Sequence, residues 1–316
     1  MPEHGHVTDP LVAELTGLFD RAQPRLAQLV DAGLRRVLDP ERINSGNQRP
    51  GDATHGYRVR QQQQAHEILV GLARQTRKAG PQLIGRTYRA GAFAVDARIG
   101  PSPVTGTFGG IHLAAVQQIA GNMTGRILDS LSATDQNIRS VFEPADRIER
   151  AGTLDVPTAI IGRRVGDPYR NAALEQIGQG LIAGDTRRQV SAALAQSLID
   201  NGVTDALTGF VDRAGRRWQL QNYTAMVART TTREAVTAGT GNRLIESGRD
   251  LVDISSHAHA ADECTPYDGG TFSLTGATPG YDVLDTPPPF HPNCAHVMTP
   301  SGVDMDEWEA EAAEFL

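Results

Sequence analysis

The chain is predicted to be mainly α-helical: a long helical N-terminal region, then a small α+β module of a β-hairpin, a long helix and irregular strands, and last a C-terminal helix. Three observations predict this. Apolar residues recur at three- and four-residue spacing through most of the N-terminal region. Aromatic residues make up only 5% of the chain against 39% hydrophobic, so alanine and glycine do much of the filling, which suits lean helices better than an aromatic-rich sandwich. Beyond about residue 205 the texture changes to short alternating runs separated by Gly- and Pro-rich turns, which is a strand pattern. The expected organisation is residues 1–205 as a helical bundle or extended arms, 206–300 as the α+β module, and 301–316 as an acidic helical tail.

In order along the chain, residues 9–38 read as helix, with Asp9 as N-cap, Pro10 at the first helical position and Pro24 as a kink point. Residues 38–52 read as a polar loop. Two helical runs, 58–79 and 82–97, are expected to part at Gly80-Pro81. A breaker segment at 100–110 precedes two more, 111–131 and 133–149. Residues 152–168 are irregular, with a short strand expected at 158–161 and helices at 169–182 and 185–200. Residues 209–220 form two short runs around Asp212-Arg213-Ala214-Gly215, the pattern of a hairpin. A long helix over 221–247 should be closed by Gly248, with Met226, Val227, Ala235, Val236, Leu244 and Ile245 as its buried stripe. Residues 251–260 alternate like a strand. Asp304–Leu316 reads as a short acidic helix.

Charge is unevenly spread. The net formal charge is −7. Residues 251–316 contain 12 acidic side chains and no Lys or Arg, whereas residues 1–250 are net positive, an asymmetry that marks surfaces facing different environments. The N-terminus has neither the basic nor the apolar region of a signal peptide, and no stretch reaches the roughly 18 apolar residues of a membrane span. "GTGNR" (239–243) lacks the Lys-Ser/Thr of a phosphate-binding loop. Glu307, Glu309 and Glu311 form an ExE pattern without the strand context of a transferase site.

The remaining chemistry is concentrated in six residues. His257 and His259 are two apart, so on a strand they share a face; Cys264 follows. His291, Cys294 and His296 close the segment, and Cys294 and His296 share a face if extended. Two such pairs meeting across a hairpin would supply nitrogen and sulfur at tetrahedral zinc distances. The expected ligands of a structural zinc are Cys264 and Cys294, with His257, His291 and His296 as the histidine candidates. A hydrogen-bonded staple, a Cys264–Cys294 disulfide and a Cys/His nucleophile pair are the alternatives the residues leave open. Two cysteines are too few for a disulfide scaffold.

Three stretches carry a resemblance. "GFVDRAGRRWQLQNYTAMVARTTTREAV" (209–236) and "VDISSHAHAADECTPYDGGTFSL" (252–274) resemble the phage minor capsid protein 2 family. "PPFHPNCAHVMTP" (288–300) resembles the closing motif of the broader Mu F-like head morphogenesis proteins. Tyr267 stands where many Mu F-like relatives have the second Cys of a CxxC, and Ala295 where they have Arg. The resemblance implies a structural, non-enzymatic component of the phage head, made in the host cytoplasm and built into the virion in few copies near the portal vertex or inner capsid surface. Its implied partners are the portal protein, the major capsid or scaffolding protein, and packaged DNA, with no membrane. The alternative functions are an internal DNA-contacting or ejected head protein, and a zinc-dependent hydrolase centred on the His/Cys cluster.

Overall fold

A computed structural model describes residues 8–37, 51–100, 110–151, 208–212, 214–257 and 260–316. Most of the described chain is helical. Helices α1 (Asp9–Val37), α2 (Gly51–Ile99) and α3 (Gly110–Ala151) are followed by strands β1 (Gly209–Val211) and β2 (Arg217–Gln219). Helix α4 (Leu220–Glu246), strands β3 (Leu251–Ile254), β4 (Thr271–Ser273) and β5 (Met298–Pro300), and helix α5 (Met305–Glu314) complete the order. No described helix is long and apolar enough to cross a membrane. The strand expected at 158–161, the helices at 169–182 and 185–200, and the boundary at residue 205 lie outside the described residues.

Two compact units are present, and neither is a continuous stretch of chain. One comprises residues 1–18, 74–128 and 223–316; the other comprises 19–73 and 129–222.

In the first unit, α2 is unbroken through Gly80-Pro81, where the sequence predicts a break. Gly80 serves packing instead: a Cβ there would come within 3.0 Å of Met123 Cε and Thr124 Oγ1 on α3. Tertiary contact over both flanks outweighs the one hydrogen bond that Pro81 removes. Likewise α3 runs without the expected interruption near residue 132. The first turn of α1 is closed by Thr8, whose carbonyl accepts from Leu11 N at 3.1 Å and Val12 N at 3.0 Å, one residue earlier than the Asp9 cap expected.

Helices α2 and α4 meet at two glycines. A Cβ on Gly91 would lie 2.2 Å from the Val236 carbonyl oxygen, and one on Gly239 would lie 2.1 Å from that of Tyr88. Each helix thus sets a carbonyl into the space left by the other's missing side chain. Beside this crossing lies a buried polar network. Tyr88 Oη is 2.7 Å from His112 Nδ1 and accepts from Asn242 at 2.7 Å; His112 Nε2 lies 2.8 Å from Glu246. Arg243 grips both Asp96 oxygens at 2.7 Å. On α4, Met226, Val227, Ala235, Val236 and Leu244 are buried as expected, but Ile245 is exposed.

The three-stranded sheet has the order β4-β3-β5, antiparallel throughout, with Val252 opposite both Phe272 and Pro300. Its inner face packs Val252, Ile254, Phe272 and Met298 against Ala94 and Val95 of α2, Leu244 of α4, and Trp308 and Ala312 of α5. Helix α5 is capped by Asp304, which accepts from the Asp306 and Glu307 amides. It is therefore not a wholly solvated tail. Trp308 is 1% exposed, and Arg98 of α2 reaches Glu307 at 2.9 Å and Glu311 at 2.8 Å.

In the second unit, Phe19, Leu26, Val30, Leu69, Leu72, Leu131 and Ile138 are buried. Strands β1 and β2 form the expected hairpin, Phe210 opposite Trp218. Its turn is organised by Asp212, whose carboxylate accepts from the amides of Ala214 and Arg216 at 2.9 Å, from Arg216 Nε at 2.8 Å and from Trp218 Nε1 at 2.9 Å.

Candidate functional site

The chain after β3 and the chain leading into β5 form two turns that converge. Residues 261–269 fold into consecutive turns: Cys264 N bonds Ala261 O at 2.8 Å, and the Cys264 carbonyl accepts from Tyr267 N at 2.9 Å and Asp268 N at 3.1 Å. This winding directs Cys264 inward, where it is fully buried. Residues 291–294 form the second turn, closed by Cys294 N to His291 O at 3.1 Å. Asn293 holds φ at 62°, in the left-handed region that asparagine tolerates better than most residues.

This second turn is docked on α4. Thr230 Oγ1 accepts from Asn293 N at 3.3 Å, and Arg233 Nη1 donates to the Cys294 carbonyl. Arg233 thus binds a carbonyl of the module. Burial lowers its pKa first, and the nearby acidic groups only partly offset that.

Three side chains meet between the turns. Cys264 Sγ and Cys294 Sγ are 3.8 Å apart, and Cys294 Sγ is 3.5 Å from His296 Nδ1. All three ligand atoms lie within 4.8 Å of one another. Both thiols are fully buried, and His296 is 4% exposed. The cysteines are free thiols, not a disulfide. Burial pushes the Cys264 thiol pKa up, reinforced by the neighbouring Cys294, because a thiolate there would be an uncompensated charge in an apolar place.

Asp268 organises the surroundings. Its carboxylate accepts from the His257 amide at 2.8 Å, Ser256 Oγ at 3.0 Å and His296 Nε2 at 2.9 Å. The His257 amide and then the His296 ring hold it below the usual carboxylate range. Gly269, at φ 68°, turns the chain directly after it. Phe290 is half-buried, stacked on Tyr267 with ring centres 4.4 Å apart and planes 8° apart, and it meets His296 edge-on.

Of the five residues expected to bind metal, the fold brings together Cys264, Cys294 and His296. His257 lies beside them, its ring 4.6 Å from that of His296, but its Nε2 is 3.0 Å from Ser255 Oγ. Burial first, and His296 second, lower its pKa, which favours the neutral ring. His291 is turned away: its Nδ1 donates to the Pro292 carbonyl at 2.8 Å. His259 lies outside the described residues. Asp268 was visible in the sequence only as one acid among several. Its role depends on a register between residues 257, 268 and 296 that spacing does not reveal.

The hairpin, the long helix and these two converging turns are the parts of the fold in which the resembling stretches lie. A family model described as "Phage minor capsid protein 2" matches residues 145–307. The chain belongs to the phage minor capsid protein 2 family. It is therefore a structural phage protein. No curated protein and no solved structure matches it. Within this minor capsid protein the match takes in the hairpin, α4, the whole three-stranded sheet, both turns and the start of α5.

Proposed function

We propose that this minor capsid protein is a low-copy head component that joins the assembling procapsid at the portal vertex or the adjoining inner capsid surface. The observation that carries the proposal is the family match over residues 145–307, which covers the α+β module together with its supporting helix. The charge distribution supports a docking role for the module. Asp262, Glu263, Asp282, Asp285 and Asp306 are exposed, on a segment without a single Lys or Arg. Such a surface fits a basic partner surface and repels packaged DNA.

The test is co-expression with the portal and major capsid proteins of the same phage, followed by cryo-electron microscopy of the particles. Density for the chain at the portal vertex or inner shell is the expected result. Particles that assemble and package normally without incorporating the chain would overturn the proposal. Reversing Asp262, Glu263, Asp282 and Asp285 to Lys should reduce incorporation severalfold and remove its dependence on ionic strength.

A further inference from the structure

We infer that Cys264, Cys294 and His296 form a structural zinc site that ties the two turns of the module together. The inference rests on distances. With Zn–S bonds of about 2.3 Å and Zn–N bonds of about 2.0–2.1 Å, a tetrahedral ion sets its sulfur ligands about 3.8 Å apart. It sets each sulfur about 3.5–3.6 Å from a ligating nitrogen. The observed separations are 3.8 Å between the sulfurs and 3.5 Å from Cys294 Sγ to His296 Nδ1. These are two edges of that tetrahedron. A disulfide would require the sulfurs at about 2.05 Å.

The imidazole is oriented for the task. Asp268 Oδ1 accepts a hydrogen bond from His296 Nε2–H at 2.9 Å, and in that tautomer the Nδ1 lone pair faces the Cys294 sulfur 3.5 Å away. A ligating histidine whose second nitrogen donates to a carboxylate is the usual outer-shell arrangement of zinc proteins, and it raises the basicity of the metal-facing nitrogen. Burial of all three side chains gives the dry surroundings in which two thiolates and a divalent cation neutralise one another. Among the described residues no fourth ligand atom joins the three. The location also makes mechanical sense. Residues 261–270 and 291–297 contain few large apolar side chains, and one ion joining Cys264 to the Cys294–His296 pair closes a loop of about thirty residues. The inference does not depend on where the chain sits in a phage particle.

The experiment is elemental analysis of the full chain purified without chelator, combined with cobalt substitution. One zinc per chain is expected. Cobalt(II) should give thiolate-to-metal charge-transfer bands and the intense visible bands of tetrahedral coordination. Cys294→Ser and His296→Ala should reduce bound metal from one per chain to none, whereas His291→Ala should retain it. If the variants fail to fold, the cobalt spectrum of the unmodified chain decides. A chain that stays metal-free after incubation with zinc, a Cys264–Cys294 disulfide found by mass spectrometry under reducing purification, or zinc retained in both ligand variants would each overturn the inference.

Discussion

Asp268, Asp212 and Asp250 show one residue type solving the same problem three times: a carboxylate accepts backbone and side-chain donors together and pins a turn. Asp250 accepts from Ser273 Oγ, from Thr275 N at 2.8 Å and Oγ1 at 2.6 Å, and from Thr278 N at 3.2 Å. These bonds, Ser273's foremost, hold it well below the usual carboxylate range. Asp212 is lowered to about 2 by the Trp218 indole and then by Arg216. The sign follows from linkage. A carboxyl whose folded pKa is depressed contributes its stability above its unfolded value of about 3.9 and loses it as pH falls through the folded value. Urea midpoints should therefore fall between about pH 4 and pH 2, and Asp212→Asn should flatten that dependence while lowering the midpoint at neutral pH. Arg243 offers a second test. It is 6% exposed and holds both oxygens of Asp96. Arg243→Ala strands that carboxylate and should cost about 3 kcal/mol in denaturant unfolding, the lower part of the range for breaking a buried pair.

Among the elements, the crossing of α2 and α4 is the most demanding contact. At Gly239 the obstacle to a side chain is a backbone oxygen, which cannot swing aside as a side-chain terminus can. Gly239→Ala should destabilise by at least about 1–3 kcal/mol. Gly121→Ala, where a Cβ meets nothing within 4 Å on α3, should instead stabilise by about 0.5–1 kcal/mol. Thermal melts of the pair give opposite signs if the crossing is as described. The contrast also shows what the sequence can and cannot reveal. The helices, the hairpin around Asp212 and the close of α4 at Gly248 are legible because each rests on local spacing and turn chemistry. Gly80-Pro81 misleads for the same reason: the local signal is a breaker, while the deciding contact is with Met123 and Thr124, over forty positions away. The convergence of Cys294 and His296 on one side of an extended segment is legible from alternation. The choice of His296 over His257 and His291 depends on Asp268 and Ser255, which only the folded turns bring near.

At the scale of the molecule, the core of the first unit is assembled from distant parts of the chain. Ala94 and Val95 of α2 share it with Leu244, the sheet, and Trp308 of α5. Trp308→Ala should cost about 3–5 kcal/mol, as expected for emptying a buried aromatic site, measured by urea unfolding of the full chain. Deleting residues 303–316 should expose the apolar face of the sheet and promote aggregation rather than merely remove an acidic docking tail; light scattering and dye binding distinguish the two.

That distribution has a consequence in time. A ribosome working at about 5–20 residues per second delivers Val95 roughly ten to forty seconds before Trp308. Until Gly239 is made, roughly seven to thirty seconds after Gly91, the small-residue face of α2 around Gly91 has neither that glycine nor the sheet to cover it. The newborn chain therefore passes through a stage at which this face must be shielded by something else, or by its own earlier helices, before the module arrives to claim it.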